Sequence, residues 1–546
     1  MYPIVSRYLL PILLGLTMTA TAQGADTPVR LVLVIVVDQL RPDRLSADLP
    51  GGLGRLMREG RVYVDAALDH AVTNTCPGHA VVLTGKNPAS MGIIGNDGFD
   101  RAAWAPVYCV ADDQPDARVA GHDYGRSPRA MLATTLGDWL KAADPTSRVV
   151  SISIKDRAAI TLGGQHPDKV YWFDSSTGQM TTSDYYRSAG RGRPGWVNWF
   201  NGTSPLVDGY LSTLPAQWVH PTGTARPDDF AAEDDKFGRQ SPHPLGEGAL
   251  EDIAGQFYAS PWADRAVGEM ARLALVEEKL GQGEGTDLLA ISFSATDTIG
   301  HRYGPFSAEA ADALQVLDEV LDELLDVVYA GFDPDEVVIA LTADHGVATL
   351  PEWDGDPLTP RCAAEPGRIT ALPLIFSIYG RLYWHFTLPF GNPFDLVAVA
   401  GPQVYVNEVY AAELGVDSNR VVAFLEQYLE SLPYIERAWR ALEFLQADPQ
   451  DELARLYRNS WFEGRSGDLV IQNAPGCLIA GEFGTTHGTP YDYDRRVPLI
   501  FQGKGFVPGP VAGQAASVDI APTLAPLLGV PVPGDLQGRN LLDPRQ

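Results

Sequence analysis

The sequence predicts an α/β fold, in which a doubly wound and mostly parallel sheet is flanked by helices and carries loop-rich cap insertions. Short apolar runs typical of buried strands alternate along the chain with helical segments, a pattern that favours parallel strands joined by helices. Polar residues follow several of these runs, and the carboxyl ends of parallel strands share one edge of a sheet. The runs occupy residues 31–37, 149–154, 288–293, 337–341 and 497–501.

Helical patterns connect the predicted strands. Residues 52–60 form a short helical pattern that ends in a glycine, and residues 519–524 begin the last helix. A longer helix predicted around residues 314–328 has leucines on one face and a row of Asp and Glu on the other. We interpret this acidic row as a solvated face without a function of its own.

Two long stretches, at about 170–261 and 350–480, interrupt the alternation and are predicted to be insertions. The first is rich in Trp, Gly, Pro, Ser and Asp, lacks clear periodicity and is interpreted as a loop-rich insertion that could cover the functional edge of the sheet. The alternative is that its aromatic residues pack a small satellite core. The second mixes strand-like and helical segments. A chain of 546 residues can bury one large core with such insertions, so we expect a single domain over residues 23–546.

Residues 1–22 are predicted to be a cleavable secretory signal. They contain Arg7, an apolar region at 8–18 and small residues at 20–22, the pattern of a signal peptide with its cleavage site. The apolar region is shorter than the roughly 20 residues that a membrane-spanning helix needs. We therefore expect a periplasmic or secreted protein without a stable membrane anchor.

The charge balance limits the classes of partner. A formal net charge of −28 argues against nucleic-acid binding, which relies on Lys and Arg to neutralise phosphates. A small anionic substrate would have to be attracted by bound metal ions or by a few local cations, against the field of the whole protein.

The four cysteines, at positions 76, 109, 362 and 477, are widely spaced and form no Cys-x-x-Cys pair. A structural zinc knuckle is therefore not expected, whereas an oxidising compartment allows up to two disulfides. Three complete pairings are open, and the sequence does not choose among them.

Thr75 is the candidate nucleophile. It lies in the segment Asn-Thr-Cys-Pro-Gly-His at 74–79, which the pattern places on a turn that leads into a helix. A threonine hydroxyl needs a neighbouring base or a metal ion to lower its pKa, and the downstream histidines lie beside aspartates at the spacing of metal ligands. The alternatives are that Thr75 only caps the helix, or that Cys76 is the nucleophile, although its thiolate would be vulnerable to oxidation.

Three aspartates and three histidines are candidate metal ligands. Most follow predicted strands closely, two of them four residues apart and two adjacent. Two zinc sites with three protein ligands each would use all six and leave positions open for substrate. Two nearby metal ions can hold the attacking and leaving oxygens of a phosphoryl displacement. The six residues are Asp38, Asp297, His301, Asp344, His345 and His487.

Two cations and one amide are candidate anion-binding groups. Lys155 and Arg157 lie two residues apart where a predicted strand meets its loop, and together they could surround one tetrahedral anion. Asn96 lies in a glycine-flanked loop near the same edge and could donate to an oxyanion. The alternatives are a solvated charge cluster and an ordinary turn asparagine.

These residues lie in segments that resemble the alkaline phosphatase superfamily, and within it the exported, threonine-nucleophile alkaline phosphatases called PafA-like. The order and spacing of the segments make the resemblance specific over nearly the whole chain after residue 22. The matching segments are VVDQLRPD at 36–43, NTCPGHAVVLTG at 74–85, GIIGND at 92–97, SIKDRAAI at 153–160, DTIGH at 297–301, TADHG at 342–346 and THGTPYDYDRRVPLI at 486–500.

The resemblance implies an alkaline phosphatase-like α/β core with two zinc ions. It implies that one zinc, held by Asp38, Asp344 and His345, contacts and activates Thr75. It implies that the other, held by Asp297, His301 and His487, stabilises the leaving group and then activates water. Thr75 would be transiently phosphorylated, with Asn96, Lys155 and Arg157 on the phosphoryl oxygens.

We therefore expect a zinc-dependent alkaline phosphatase that hydrolyses phosphate monoesters with broad specificity through a phosphothreonine and releases inorganic phosphate. Lys155 and Arg157 favour the extra unsubstituted oxygen of a monoester dianion over a diester. A sulfatase is disfavoured, because residues 76–79 lack the Cys/Ser-x-Pro-x-Arg pattern. The alternatives are a nucleotide pyrophosphatase/phosphodiesterase-type diester hydrolase and a catalytically silent periplasmic protein that binds phosphate or metal.

Overall fold

The computed structural model describes residues 27–187, 193–202, 209–222, 226–389 and 391–542. The predicted signal peptide at residues 1–22 lies outside these ranges. None of the helices in the described ranges is both long enough and apolar enough to cross a membrane.

Nine of the described strands form one large sheet, in the order β19-β2-β18-β11-β1-β10-β5-β6-β7. Its centre, from β11 to β6, is parallel throughout. The described strands are β1 (Leu31–Val37), β2 (Arg61–Ala66), β3 (Asp97–Asp100), β4 (Ala105–Tyr108), β5 (Val149–Ser153), β6 (Lys169–Asp174), β7 (Gln179–Thr181), β8 (Gln217–Trp218), β9 (His243–Pro244), β10 (Asp287–Phe293), β11 (Val337–Thr342), β12 (Arg368–Thr370), β13 (Val397–Ala400), β14 (Gln403–Val406), β15 (Ile435–Arg440), β16 (Leu469–Asn473), β17 (Leu478–Ala480), β18 (Leu499–Gly503) and β19 (Gly509–Ala515).

Helices cover both faces of the sheet. The described α-helices are α1 (Gly52–Glu59), α2 (Thr75–Thr84), α3 (Pro88–Met91), α4 (Leu136–Ala143), α5 (Asp156–Gly163), α6 (Gly195–Phe200), α7 (Leu250–Tyr258), α8 (Trp262–Glu277), α9 (Ala295–Tyr303), α10 (Ala308–Gly331), α11 (Ala371–Leu382), α12 (Pro393–Leu396), α13 (Glu408–Glu413), α14 (Ser418–Glu430), α15 (Ala441–Gln446), α16 (Glu452–Ser460), α17 (Asp492–Arg495) and α18 (Ile520–Leu527).

The apolar run of β1 explains why helices pack on both faces of the sheet. All seven of its residues are buried, and alternate side chains of a strand point to opposite faces. Leu33 and Ile35 pack with α1, α8 and α10 on one face, whereas Val32 and Val34 pack with α2, α4, α5 and α18 on the other. The predicted doubly wound, mostly parallel α/β fold is therefore confirmed.

The two predicted insertions differ in their relation to the sheet. The first was expected to start near residue 170, but β6 and β7 continue the main sheet beside β5, so this part of the range belongs to the sheet. Tyr171 and Trp172 are core residues of β6, which is why an aromatic-rich stretch was mistaken for loop. In the second insertion, β13, β14, β16 and β15 form a separate sheet.

All four cysteines lie within the described ranges, and they form two disulfides, Cys76–Cys109 and Cys362–Cys477. The sequence left three pairings open. Because Cys76 is bonded to Cys109, it is not a free thiolate, and the alternative in which Cys76 is the nucleophile does not hold.

The acidic row of α10 is not wholly solvated, contrary to the expectation from its pattern. Asp318 is 1% exposed and accepts hydrogen bonds from the backbone N–H groups of Gly51 at 2.6 Å and Leu53 at 2.8 Å. These N–H groups belong to the unpaired first turn of α1, so Asp318 caps that helix from a distant part of the chain.

Replacement of Asp318 by alanine should therefore destabilise the fold. Truncation leaves buried N–H groups without an acceptor, and we expect a loss of about 2 kcal/mol in the free energy of unfolding. Urea denaturation would measure it. Asp326→Ala on the same helix is the matched control, because the Asp326 side chain is 72% exposed and its loss should cost little; equal effects would contradict the capping role.

Candidate active site

Three buried aspartates lie together where central strands of the sheet end. Asp38 follows β1, Asp344 follows β11, and Asp297 lies in the first turn of α9, directly after β10. Their exposed fractions are 0%, 0% and 4%. The neighbouring strands β11, β1 and β10 are parallel, so their carboxyl ends meet at one edge, as the sequence predicted for these residues.

Thr75 is the first residue of α2, and Asn74 precedes it as the N-terminal cap position without a capping side-chain hydrogen bond. Thr75 is therefore inside the helix and does not cap it. Its hydroxyl oxygen lies 3.5 Å from Nη2 of Arg157, which donates to it. The free N–H groups and the dipole at the start of a helix favour negative charge beside this hydroxyl.

Asn96 lies next to the candidate nucleophile. Its side-chain Oδ1 accepts a hydrogen bond from the backbone N–H of Cys76 at 2.8 Å, and its backbone carbonyl accepts one from Cys109 N at 2.9 Å. The Cys76–Cys109 disulfide joins the same two segments. Because Oδ1 is occupied, Asn96 has its Nδ2 amide left to donate to an anion beside Thr75.

Lys155 lies between two of the aspartates. Its ammonium donates to Asp38 Oδ2 at 2.5 Å and also to Asp297 Oδ2, and the residue is 3% exposed. Burial alone would lower the pKa of Lys155, but the adjacent carboxylates Asp297 and Asp38 raise it above its usual value. The side chain is therefore a fixed positive charge.

Arg157 is held on the other side of Thr75. Burial lowers the pKa of its guanidinium, but the phenol groups of Tyr108 and Tyr258 more than offset this, and the pKa lies above its usual value. Asp156, next to it in the chain, accepts hydrogen bonds from Tyr108 OH at 2.5 Å and Arg126 Nε at 2.7 Å. These contacts fix the first turn of α5, so Arg157 is not part of a solvated charge cluster.

Asp38, Asp344 and His345 form the first group that could hold a metal ion. His345 Nε2 lies 3.5 Å from Asp38 Oδ1 and 3.2 Å from Asp344 Oδ2. Within the described part of the chain, Asp38 Oδ1 and His345 Nε2 are buried and take part in no hydrogen bond, and the buried Asp344 Oδ2 has His79 Nδ1 3.1 Å away. Tetrahedral zinc ligands with bonds of about 2 Å lie roughly 3.3 Å apart, and both distances from His345 Nε2 are near this value. Ligand atoms within 4.8 Å of one another also group Asp38 with His79 and Asp344, and Asp38 with Asp297 and His345.

Asp297, His301 and His487 form the second group, and their ligand atoms lie within 4.8 Å of one another. His301 Nε2 lies 3.2 Å and His487 Nε2 3.8 Å from Asp297 Oδ1. The Nδ1 atoms of both histidines face backbone carbonyls, of Thr485 at 2.8 Å and Thr73 at 2.6 Å. An Nδ1–H that donates to a carbonyl leaves Nε2 as the free electron pair, the form that binds metals.

The electrostatics of the site also suit bound cations. Burial, together with the neighbouring carboxylates Asp297 and Asp344, raises the pKa of Asp38 well above its usual value despite the opposing charge of Lys155. Burial lowers the pKa of both His345 and His487, which keeps these imidazoles neutral. Burial also lowers the pKa of His301, but the Asp297 carboxylate more than offsets this and holds it above its ordinary value. Carboxylates beside imidazoles are donors that divalent zinc prefers.

Several supporting residues were missed by the sequence analysis. His79 Nδ1 lies 3.1 Å from Asp344 Oδ2, and its Nε2 lies 2.8 Å from Ser292 Oγ. Gln39 donates from its backbone N–H to Asp344 Oδ1 at 3.0 Å and from its side chain to Asp297 Oδ1 at 2.9 Å. Both residues adjoin predicted site residues in the sequence, but only the packing reveals their contacts.

Asp264 of α8 supports the helix that carries Asp297. Its Oδ1 accepts hydrogen bonds from the backbone N–H groups of Ser294 and Ala295, each at 3.0 Å. The residue is 0% exposed, and burial raises its pKa to about 7 although these hydrogen bonds oppose the shift. No local motif marks Asp264, because it lies about thirty residues before the turn that it holds.

A cavity of about 380 Å³ adjoins the site, with Asn74 and His487 in its wall. The second insertion supplies apolar side chains to the opposite wall, among them Leu374, Ile378 and Ile479. A substrate group that extends from the site into this cavity would contact an apolar surface.

The geometry can be compared with known proteins. A family model described as type I phosphodiesterase / nucleotide pyrophosphatase matches residues 32–495. This match covers most of the chain and includes every candidate site residue. The chain belongs to this family.

Several of its curated relatives are bacterial alkaline phosphatases. PhoK of a Sphingomonas species is 31% identical over 95% of this chain and 91% of its own length. PhoD of Zymomonas mobilis is 32% identical over 96% of this chain and 90% of its own. The crystal structure of the alkaline phosphatase PafA superposes with a TM-score of 0.83 at 26% identity, covering 95% of this chain and 99% of that one.

These matches confirm the resemblance to the alkaline phosphatase superfamily. The chain is a PafA-like hydrolase of this superfamily, and its similarity to these relatives shows that it is an alkaline phosphatase. A further solved structure, with a TM-score of 0.82, is of a PafA mutant substituted at a threonine, an asparagine, a lysine and an arginine. The first two of these positions are 21 residues apart, and the last two are two residues apart.

The raised pKa of Asp264 predicts a pH-dependent stability. Between its ordinary value of 3.8 and about 7, the native protein binds a proton that the unfolded chain does not, so stability falls as pH rises through this range. Relative to Asp264→Asn, the wild type should lose up to about 1.4 kcal/mol per pH unit there and stay level above pH 7.

Urea denaturation of both proteins from pH 4.5 to 8.5 would measure this difference. Comparing the two proteins cancels the other titrating groups that they share. A stability difference that is independent of pH would contradict a raised pKa at Asp264.

Proposed function

We propose that the protein hydrolyses phosphate monoesters with two zinc ions and Thr75 as a transiently phosphorylated nucleophile, releasing inorganic phosphate. The observation that carries this proposal is that Thr75, Asn96, Lys155 and Arg157 converge on one edge of the sheet beside two groups of Asp and His donors. Nucleophile, anion donors and metal donors are all present, which argues against a catalytically silent binding protein.

The comparison with PafA supports the choice of these four residues. Thr75 and Asn96 are 21 positions apart, and Lys155 and Arg157 are two positions apart, the same residue types and spacings as in the substituted PafA protein. We propose that they correspond in role.

The chain's own residues suit a two-step transfer. The Thr75 hydroxyl gives up its proton as its oxygen attacks phosphorus, and a Thr–O–P bond forms. The bond from phosphorus to the ester oxygen breaks, and this oxygen takes up a proton, so the alcohol leaves. Water then attacks the phosphothreonine, which restores the threonine hydroxyl and releases phosphate. Arg157 Nη2 and the Asn96 amide would bind the phosphoryl oxygens as charge spreads over them.

Zinc is the cofactor that the donor sets favour. Asp38, Asp344 and His345 would hold one ion, with Thr75 beside it, and Asp297, His301 and His487 would hold the other. When bound, the ions supply Lewis-acid charge at the attacking and leaving oxygens. The carbonyl contacts of His301 and His487 keep their Nε2 electron pairs directed at the site.

Monoester preference would follow from the two fixed cations. A monoester dianion presents an unsubstituted oxygen where a diester carries a second organic group, and the half-buried Arg157 guanidinium gains more from the former. The adjacent cavity is lined by apolar side chains such as Leu374 and Ile378. It offers few polar contacts that would select one leaving group over another, which supports broad specificity.

Export of the protein is part of the proposal. The signal-like pattern at residues 1–22 predicts secretion, and the two disulfides are the kind of bond that persists in an oxidising compartment such as the periplasm.

Thr75→Ala should abolish catalysis without loss of metal. The nucleophilic oxygen is gone, so kcat should fall at least about a thousandfold, while zinc content, measured by mass spectrometry, stays at the wild-type level. Thr75→Ser is the matched control and should keep a substantial part of the activity and form a phosphoserine. Full activity of the alanine variant would disprove the nucleophile.

The substrate class is tested with an aryl phosphate monoester, the matching diester and the aryl sulfate at mildly alkaline pH. The zinc-loaded wild type should prefer the monoester and lose activity on chelation. Arg157→Ala should reduce kcat/KM for the monoester at least about tenfold more than for the diester, since a hydrogen bond between a guanidinium and a phosphoryl oxygen contributes about 1.5–3 kcal/mol.

Arg118→Ala, an exposed arginine outside the site, controls for a general effect of lost charge and should leave both activities unchanged. Preference of the wild type for the diester, or equal losses of both activities in Arg157→Ala, would favour the phosphodiesterase alternative.

A further inference from the structure

A further cluster of potential metal ligands lies away from the candidate active site at the strand ends, which is called the catalytic edge below. His220 follows β8 and His243 lies on β9, the two strands of a small antiparallel pair in the first insertion. Glu309 lies in the first turn of α10. Their ligand atoms lie within 4.8 Å of one another, although the residues are separated by up to 89 positions in the chain.

The distances in this cluster match those between ligands of one ion. His220 Nε2 and His243 Nε2 are 3.1 Å apart, and Glu309 Oε1 lies 3.2 Å from the second and 3.7 Å from the first. Donors at about 2 Å from a tetrahedral zinc are separated by roughly 3.3 Å. All three separations lie near this value.

The other nitrogen of each histidine is already engaged. His220 Nδ1 lies 3.0 Å from the carbonyl of Pro221, and His243 Nδ1 lies 3.3 Å from that of Phe237. Each Nδ1–H donates to its carbonyl in this arrangement, which leaves an electron pair on each Nε2. Two nitrogen electron pairs and a carboxylate oxygen then face one another and need a cation between them.

The charge of Arg226 interacts with Glu309, but no hydrogen bond from the described residues compensates the burial of this carboxylate. The residue is 0% exposed, and neither carboxylate oxygen accepts a hydrogen bond from any described residue. A buried carboxylate without a hydrogen-bond donor is costly unless it is paired with a cation or binds a metal. Its second oxygen, Oε2, is available as a fourth donor.

We propose that His220, His243 and Glu309 form a third metal site, which binds zinc or a similar divalent transition metal and is structural. Two imidazoles and a carboxylate suit such ions better than they suit calcium or magnesium, which prefer oxygen ligands. Exposed fractions of 5%, 2% and 0% leave no approach for a substrate, whereas the His301 side chain at the candidate active site is 33% exposed.

The proposed ion would fasten the first insertion to the catalytic core. Glu309 begins α10, and α9 before it carries Asp297 and His301. Tyr303, at the end of α9, packs against the His243 ring with centroids 5.3 Å apart. A metal at this point would hold the β8–β9 segment against the two helices that border the catalytic site, and its loss should loosen the insertion.

The alternative arrangement is a proton instead of a metal. One histidine would be doubly protonated and donate its Nε2–H to the other histidine or to Glu309. The geometry of the cluster suits this arrangement less well, because a single proton satisfies only one of the close contacts, whereas a metal ion satisfies all three donors together.

Zinc content tests the proposal. The full mature protein is loaded with zinc, freed of excess metal and measured by mass spectrometry beside His243→Ala and Glu309→Gln. Each variant should bind one zinc equivalent less than the wild type and retain turnover. This difference does not depend on how many ions the catalytic site holds, so it is separate from the proposed function.

His122→Ala is the matched control, because His122 is a partly buried histidine paired with Asp174 at 2.8 Å and outside every candidate metal group of the described residues. It should keep the wild-type zinc content. Zinc contents of His243→Ala and Glu309→Gln equal to that of the wild type would overturn the proposal.

A second measurement covers the case in which the variants do not fold. Crystals of the zinc-loaded wild type should give an anomalous-scattering peak at the zinc edge between His220, His243 and Glu309. Zinc peaks at the catalytic edge without one at this cluster would overturn the third site and leave the catalytic proposal intact.

Discussion

Three carboxylates buried at neighbouring strand ends are the constraint on which the rest of the site depends. Asp38, Asp297 and Asp344 are buried, and negative charge in such a place is stable only when cations and hydrogen-bond donors surround it. Lys155 supplies one cation. The imidazoles of His301, His345 and His487 complete two donor sets, and we propose that zinc ions supply the remaining positive charge.

The carboxylates are fixed by contacts that come from distant parts of the chain. Gln39 and His79 position Asp344, and Asp264 holds the first turn of the helix that carries Asp297. The Cys76–Cys109 disulfide joins the nucleophile helix to the segment that follows Asn96. Together these contacts give the reacting groups a fixed geometry before substrate binds, which is what electrostatic catalysis requires.

The two insertions add side chains around the site at the edge of the core sheet. One brings an apolar wall to the cavity beside His487, and the other brings Tyr258 near the two cations, where its phenol influences the pKa of Arg157. The proposed third metal site would make the first insertion a stable part of the enzyme, since β8 and β9 are only two residues long each and offer little pairing of their own.

The sequence by itself determined the fold class and grouped candidate site residues at one edge of the sheet. Apolar runs such as Leu31–Val37 form buried strands wherever they lie in the core, and residues directly after parallel strands must share an edge, so Asp38, Asp344 and Lys155 could be grouped from local pattern alone. The matching motifs then assigned each residue a predicted role.

Only the tertiary structure decided the contacts between segments far apart in the chain. The disulfide pairing, the cap that Asp318 provides to α1, and the approach of His220 and His243 to Glu309 leave no local signal, because each depends on how packed elements meet. The strand β6 was hidden for a similar reason: its aromatic residues pack in the core although their composition suggested a loop. Burial and proximity arise from packing of the whole chain, and a local pattern records only one side of each contact.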